Sequence, residues 1–355
     1  MYIESVRLEN FRNYSSGSFS FSKGINVIEG ANAVGKTNLV EAVYFCAVGK
    51  SPRTSRDKEL IEWNADYAKI ILKTANRYRN STITAMITKN GEKRIAVDGA
   101  GITRLGELIG RIGVVFFSPD ELKMIKETPQ ERRRFMDISL SQQSRSYFYS
   151  LQNYAKALAN RNSLLKEKFK EKIFERLLSA WDVQLAKEGA EIIKKRREFI
   201  EFLSPLVDDR HKTVAGADNG LNVEYETSVK GENIVEEMLK LLEINREKDV
   251  RLGYTSVGPH RDDMLITSNG VDLRSFGSQG QQRTAALALK LAEADCIELR
   301  TGERPILILD DVLSELDPFR RQELLKQARK QQTLLTCTDF TENADLIDNL
   351  IKISK

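Results

Sequence analysis

The residues Gly30-Ala31-Asn32-Ala33-Val34-Gly35-Lys36-Thr37 place two glycines, a lysine and a hydroxyl at the G-x-x-x-x-G-K-[ST] spacing of a phosphate-binding loop. Glycine lets successive backbone N–H groups curl around phosphate oxygens, Lys36 brings a point charge to the β- and γ-phosphates, and the Thr37 hydroxyl suits Mg²⁺. The helix that should open at this point adds donors at its N-terminus, so Asn38 is included with the eight loop residues as nucleotide-contacting. Far along the chain, Ile306-Leu307-Ile308-Leu309-Asp310-Asp311 reads as a buried strand ending in two carboxylates. In a chain that already has a phosphate loop, Asp310 is the candidate Mg²⁺ ligand and Asp311 the candidate to orient an attacking water.

Other candidates carry more than one reading. Ser278-Gln279-Gly280 opens a helical pattern and offers a second anion-ready helix start, or an ordinary cap. Arg12, just past the end of a strand, can reach a phosphate or ribose or lie on the surface. Lys50, Arg53, Arg56 and Lys58 occupy a polar loop after the phosphate-loop helix, and their charges suit phosphates of a nucleotide or of DNA. His260-Arg261-Asp262-Asp263 has the residue types of a metal or catalytic site, although a lone histidine among charged loop residues is more often structural.

The elements that must position these groups follow from periodicity. Residues 1–8 alternate as a strand, Phe19, Phe21 and Ile25 continue a two-strand lead-in, Ile25–Glu29 feeds the phosphate loop, and 38–45 has helical spacing. Three period-2 runs at 68–73, 81–88 and 93–98, the last two joined by a turn at 89–92, form an antiparallel meander, and 112–117 is a buried strand stopped by Pro119. Apolar residues then recur at three and four over about 140–168 and 171–203, predicting two helices of about 30 residues as an antiparallel arm. Strands return at 222–225 and 264–267, with a turn at Asn269-Gly270. A helix through 285–299, the Asp310 strand, a further helix and a strand at 333–338 complete the chain.

Composition bounds the class. The 355 residues suffice for two domains, 30% are charged, and no apolar run nears the roughly 18 residues of a membrane span. The first residues lack the apolar core of a signal peptide, so a cytoplasmic protein is expected. Three scattered cysteines and two histidines indicate neither a disulfide framework nor a zinc site. The net charge of +4 is uneven: residues 1–117 carry 17 basic and 11 acidic side chains, 118–215 carry 20 and 15, and 216–355 carry 18 and 25. The basic front is compatible with a polyanionic partner, and equally with solvated helix faces.

Taken together, the GANAVGKT loop, the SQGQQRT helix start at 278–284, LDDVLSELD at 309–317, FRNY at 11–14 and GPHRDD at 258–263 resemble the ABC-type ATPase heads of the SMC/Rad50 group, and within it the RecF family, across nearly the whole chain. The resemblance implies an α/β P-loop ABC-type ATPase head with an antiparallel β lead-in and an inserted α-helical arm: a core of 1–117 plus 257–355 and an arm of 118–256. It implies an ATP-dependent homodimer that binds gapped, duplex or single-stranded DNA, works with RecR and RecO to load RecA, supports replication restart and SOS induction, and sits with the nucleoid, without a membrane partner. By the family pattern Lys36, Thr37 and Asp310 hold ATP and Mg²⁺ in one subunit while Ser278, Gln279 and Gly280 of the other touch the γ-phosphate. Departures from the wider ABC pattern are Asp311 where glutamate is usual, no glutamine at 115–118, and Thr338 rather than histidine after the next strand. They point to slow hydrolysis, a switch rather than a motor. An ABC transporter subunit should carry LSGGQ, a glutamine loop and a switch histidine. A P-loop kinase leaves SQGQQ unexplained.

Overall fold

The computed structural model describes residues 1–75, 80–167, 171–216, 220–340 and 344–354. The alternating N-terminus forms β1 (Tyr2–Phe11), which turns through Arg12 and Asn13 into β2 (Tyr14–Ser20) with Phe11 opposite Tyr14. Ile25–Glu29, expected as the strand that feeds the loop, is β3, and it belongs to a different sheet from β1 and β2. The loop follows, then α1 (Lys36–Val48), which ends at Gly49 in a left-handed conformation (φ 75°) with its N–H on the Phe45 carbonyl at 2.7 Å. The meander is β4 (Tyr67–Ala75), β5 (Asn80–Thr88), β6 (Lys93–Val97) and the short β7 (Ala100–Gly101); β8 (Val114–Phe117) is the buried run before Pro119. The first sheet has the order β2-β1-β4-β5-β6-β7 and is antiparallel throughout.

The helical region departs from expectation. It contains α2 (Lys123–Lys126), α3 (Pro129–Gln143), α4 (Arg145–Lys166) and α5 (Glu171–Ala215). The first expected helix, 140–168, is thus the end of α3 and all of α4, broken at Ser144, whose hydroxyl accepts the Tyr147 N–H at 3.3 Å as the cap of α4. Its expected end at 168 lies outside the described residues. The second helix runs on from 203 to Ala215 through Pro205, although an internal proline removes a hydrogen bond and typically costs ~3 kcal/mol. The apolar positions Val207 and Val214 beyond it are fully buried and hold the extension. Next come β9 (Leu221–Glu226), α6 (Ile234–Ile244), α7 (Arg246–Leu252), β10 (Asp263–Ser268), β11 (Val271–Asp272) and α8 (Leu273–Phe276); β11-β10-β9 form a small antiparallel sheet.

The chain closes with α9 (Gln279–Thr301), β12 (Ile306–Asp310), α10 (Pro318–Ala328), β13 (Thr333–Cys337) and β14 (Asn349–Lys352). The third sheet, β14-β3-β13-β12-β8, is parallel, and its register sets Ile28, Thr336 and Asp310 level across β3, β13 and β12. Helix α1 touches strands of both large sheets and is buried on nearly every side, Leu39, Val40, Val43 and Phe45 completely. Burial of each large apolar side chain contributes roughly 1.5–3 kcal/mol, so the helix that starts at the phosphate loop is fixed in one place.

The chain packs as two compact units: Met1–Leu122 with Arg210–Asp218 and Arg283–Lys355, and Lys123–Asp209 with Asn219–Gln282. Residues 257–282, assigned to the core from the sequence, pack with the second unit because β10 pairs with β9 over its whole length. No described helix is long and apolar enough to cross a membrane.

Candidate nucleotide-binding site

The phosphate loop is braced by the turn between β1 and β2. Asn13 donates to the Val34 carbonyl at 2.8 Å and accepts from the Asn38 amide at 2.8 Å, while the Tyr14 hydroxyl donates to the Gly35 carbonyl at 3.1 Å. Gly35 sits at φ 117°, and a Cβ there would lie 2.7 Å from the Asn13 amide and 2.9 Å from the Tyr14 hydroxyl, so both conformation and space demand glycine. Ala33 also adopts positive φ (65°), a cost that a non-glycine residue bears only where neighbours hold it. Lys36 is buried and spans the loop, donating to the Gly30 and Ala31 carbonyls at 2.8 and 3.0 Å. Ala31, Asn32 and Ala33 are exposed at the rim.

Beside this loop the parallel sheet delivers its acids. The Thr37 hydroxyl, at the first turn of α1, donates to Asp310 Oδ1 at 3.0 Å, and the Thr336 hydroxyl donates to the same oxygen at 2.7 Å. Burial pushes the Asp310 carboxyl up from its ordinary value, and the two hydroxyls pull against that shift. Asp311 leaves the strand at φ 55° with its N–H on Thr336 Oγ1 at 2.9 Å. A hydroxyl and a carboxylate within 3.0 Å are hard oxygen donors of the kind Mg²⁺ takes alongside substrate phosphates. Among the described residues there is no cluster of three or more His, Cys, Asp or Glu side chains that could hold a metal.

The remaining candidates divide between this site and other parts of the chain. Arg12, at φ 56°, makes a bidentate pair with Glu41 of α1 (2.9 and 2.7 Å) and donates to the Glu59 carbonyl at 2.8 Å. Glu41 is fully buried and also accepts from Ser51 at 2.6 Å and from Arg53 at 3.4 Å. Arg53, read as holding phosphates of a nucleotide or of DNA, turns toward α1, bonding Asn38 Oδ1 at 3.0 Å, and its charge pulls the Asp310 carboxyl down. Lys50, Arg56 and Lys58 are exposed, Arg56 lying 3.9 Å from Glu59. Ser278, Gln279 and Gly280 belong to the second unit and are exposed; Ser278 and Gln281 form a reciprocal cap, N–H to Oε1 at 2.8 Å and N–H to Oγ at 3.3 Å.

In the His260 cluster, the histidine and both aspartates are held by hydrogen bonds within the fold, while Arg261 is exposed. The His260 Nδ1 accepts from the Tyr154 hydroxyl at 2.7 Å, its Nε2 meets the Thr255 carbonyl at 3.0 Å, and burial pushes the ring down to about 4, so it is neutral. Arg133 and Arg196 donate to the Asp262 and Pro259 carbonyls at 2.7 Å each, Tyr225 donates to the Asp262 carboxylate, and Arg132 holds Asp263 bidentately at 2.6 and 2.8 Å. Asn13, Tyr14, Glu41 and Thr336 were not singled out as site residues from the sequence. The signals were a polar triplet straight after a strand, one acid in an otherwise apolar helix, and a threonine inside a buried strand.

A parallel sheet that feeds a phosphate loop into a buried helix, and brings an aspartate from β12 onto that helix's first hydroxyl, defines a P-loop nucleotide-binding head with an inserted helical unit. Residues 2–355 match the RecF/RecN/SMC N terminal domain family. The DNA replication and repair protein RecF of Clostridium perfringens is 44% identical over 354 residues, 99% of this chain and 97% of its own. A structure of the recombination mediator protein RecF-ATP in the RecFOR pathway has TM-score 0.89 and 35% identity, covering 96% of this chain and 93% of that one. A Smc head bound to the C-winged helix domain of ScpA, 19% identical with TM-score 0.58 over 100% of this chain and 94% of that one, shares the fold. The chain belongs to the RecF/RecN/SMC N-terminal domain family, and within it to the RecF group.

Proposed function

We propose that this chain is an ATP-dependent DNA-binding protein of recombinational repair. The observation that carries the nucleotide half is the 3.0 Å contact between Thr37 and Asp310 beside Lys36, which joins a loop hydroxyl to a carboxylate 273 residues away. In this reading Lys36 exchanges the Gly30 and Ala31 carbonyls for β- and γ-phosphate oxygens, and Thr37 and Asp310 hold Mg²⁺. When bound, Mg²⁺ neutralises charge developing on the phosphates. Asp311 positions the attacking water and accepts its proton. Ser278, Gln279 and Gly280 of a second copy close over the γ-phosphate, so ATP drives a homodimer and slow hydrolysis releases it. The weak ATPase is a timer; the work is binding.

The partner half rests on family membership. A relative named a DNA replication and repair protein and a neighbour described as a recombination mediator bound to ATP support a role on DNA, and gapped, duplex and single-stranded forms are the substrates to compare. The RecFOR pathway named with that neighbour supports partnership with RecR and RecO; indirect action on RecA, roles in replication restart and SOS induction, and a cytoplasmic, nucleoid-associated location are what the family resemblance implies. The test is oligonucleotide binding with and without ATP, titrated against salt. Affinity should require ATP and fall as salt rises. Replacing Lys50, Arg56 and Lys58 by glutamine should lower the log–log salt slope by roughly one unit per true phosphate contact. DNA affinity indifferent to ATP would overturn the reading.

A further inference from the structure

We infer that Thr336 is a positioning residue that sets both acidic groups of the site; the inference rests on the nucleotide reading above. The side chain is fully buried in the middle of the parallel sheet, where valine would pack equally well. What threonine adds is one hydroxyl, and both of its directions are used. Its proton goes to Asp310 Oδ1 at 2.7 Å, and a lone pair takes the Asp311 N–H at 2.9 Å. The parallel register leaves little freedom here, because Thr336 lies level with Asp310 on one side and with Ile28, two residues before Gly30, on the other.

Each bond has a separate consequence. Thr37 and Thr336 both donate to Oδ1, and among the described residues no hydrogen bond reaches Oδ2. The carboxylate plane is therefore pinned from one side, and the other oxygen is held for a cation. The second bond fixes the backbone at the point where Asp311 departs at φ 55°, a conformation a non-glycine residue keeps only when its surroundings impose it. One hydroxyl thus aims the cation-binding oxygen and the water-positioning carboxylate together. Groups that orient a metal ligand from behind commonly change metal affinity or activity by about 10–100-fold when removed.

Thr336→Val keeps shape and β-propensity and deletes both bonds; Thr336→Ser keeps the hydroxyl. Nucleotide affinity is measured by calorimetry in EDTA and across a magnesium titration, with hydrolysis in parallel and a thermal melt to confirm folding. Expected for Thr336→Val is unchanged affinity in EDTA, a magnesium midpoint raised about tenfold, and slower hydrolysis, with Thr336→Ser returning both toward wild type. If valine prevents folding, Thr336→Ala carries the same expectation. A folded variant with wild-type magnesium midpoint and hydrolysis overturns the inference. So does equal loss of affinity with and without magnesium, which marks a merely structural role. A wild-type protein that binds no nucleotide would instead remove the nucleotide reading itself, and one whose binding ignores magnesium would remove the cation site at Thr37 and Asp310 and the inference with it.

Discussion

At the scale of single residues, the site assigns separate jobs to groups a few ångströms apart. Lys36 makes two charge-assisted hydrogen bonds to loop carbonyls, 2.8 and 3.0 Å, that phosphate oxygens can replace. Such bonds contribute about 1.5–3 kcal/mol each, so Lys36→Ala should weaken ATP binding by at least about 10²-fold, measurable by calorimetry. Lys36→Arg should retain some binding and lose hydrolysis, since a planar fork misplaces the γ-phosphate. Asp311→Asn should slow hydrolysis by about 10²–10⁴-fold and leave ATP binding intact, whereas Asp310→Asn should weaken binding of the Mg²⁺ complex. A wild-type rate in Asp311→Asn would assign the water to another residue. His260 gives a pH test. Its ring is pushed down to about 4 in the fold and titrates near 6.5 when unfolded, so the unfolded chain binds the extra proton first. The stability that the neutral ring supports is complete above about 6.5 and is lost as pH falls toward 4, by on the order of 1–3 kcal/mol. Thermal melts of His260→Gln should therefore fall less steeply than wild type over that window; parallel curves would show that other groups set the acid limb.

At the scale of elements, the parts with one dominant signal were readable from the sequence. The phosphate loop with its strand and helix, the meander, and the aliphatic run ending at Asp310 lie where spacing placed them, because alternation and motif each point to one local structure. The helical region was less readable. The break at Ser144 is a cap inside an unbroken apolar pattern, and α5 passes Pro205 because buried residues beyond it outweigh a lost backbone bond. Propensity alone cannot see that compensation. In the candidate site, spacing named Lys36, Thr37 and Asp310, which the fold brings together, but not the residues that hold them. Asn13 and Glu41 act on partners 21 and 29 residues away, a separation that appears only once β1, β2 and α1 are packed. The turn carrying Asn13 is accordingly predicted to matter beyond its own stability. Asn13→Ala removes the bonds to Val34 and Asn38 and should cost about 1–3 kcal/mol of stability. It should also weaken ATP binding, because the loop it braces carries a strained Ala33 and a tightly enclosed Gly35. If the melt shifts while ATP affinity stays at the wild-type value, the turn stabilises the fold without shaping the loop.

At the scale of the whole molecule, one chain carries two polar helix starts, each with a different state of completion. The first, in the unit containing Lys36, already has its acids and its hydroxyls in place. The second, at Ser278, is capped by its own Gln281 and lies exposed, and a Cβ added at Gly280 would meet nothing within 4 Å. Two copies arranged head to tail employ both, which is the proposed ATP-driven dimer. Ser278→Arg should leave each subunit able to bind ATP, since the phosphate loop, Lys36 and Asp310 are untouched, yet block ATP-induced dimerisation by placing bulk and charge where the partner's nucleotide must dock. A Lys36→Ala chain has the opposite defect: it lacks nucleotide and keeps an intact helix start. Mixing the two inactive variants makes a heterodimer with one site intact on both sides and one site damaged twice. Sedimentation and ATPase assays on the mixture should then recover part of the dimerisation and of the hydrolysis that neither variant shows alone. If Ser278→Arg by itself abolished ATP binding in the monomer, the helix start would serve the nucleotide of its own chain, and the head-to-tail dimer would have to be abandoned.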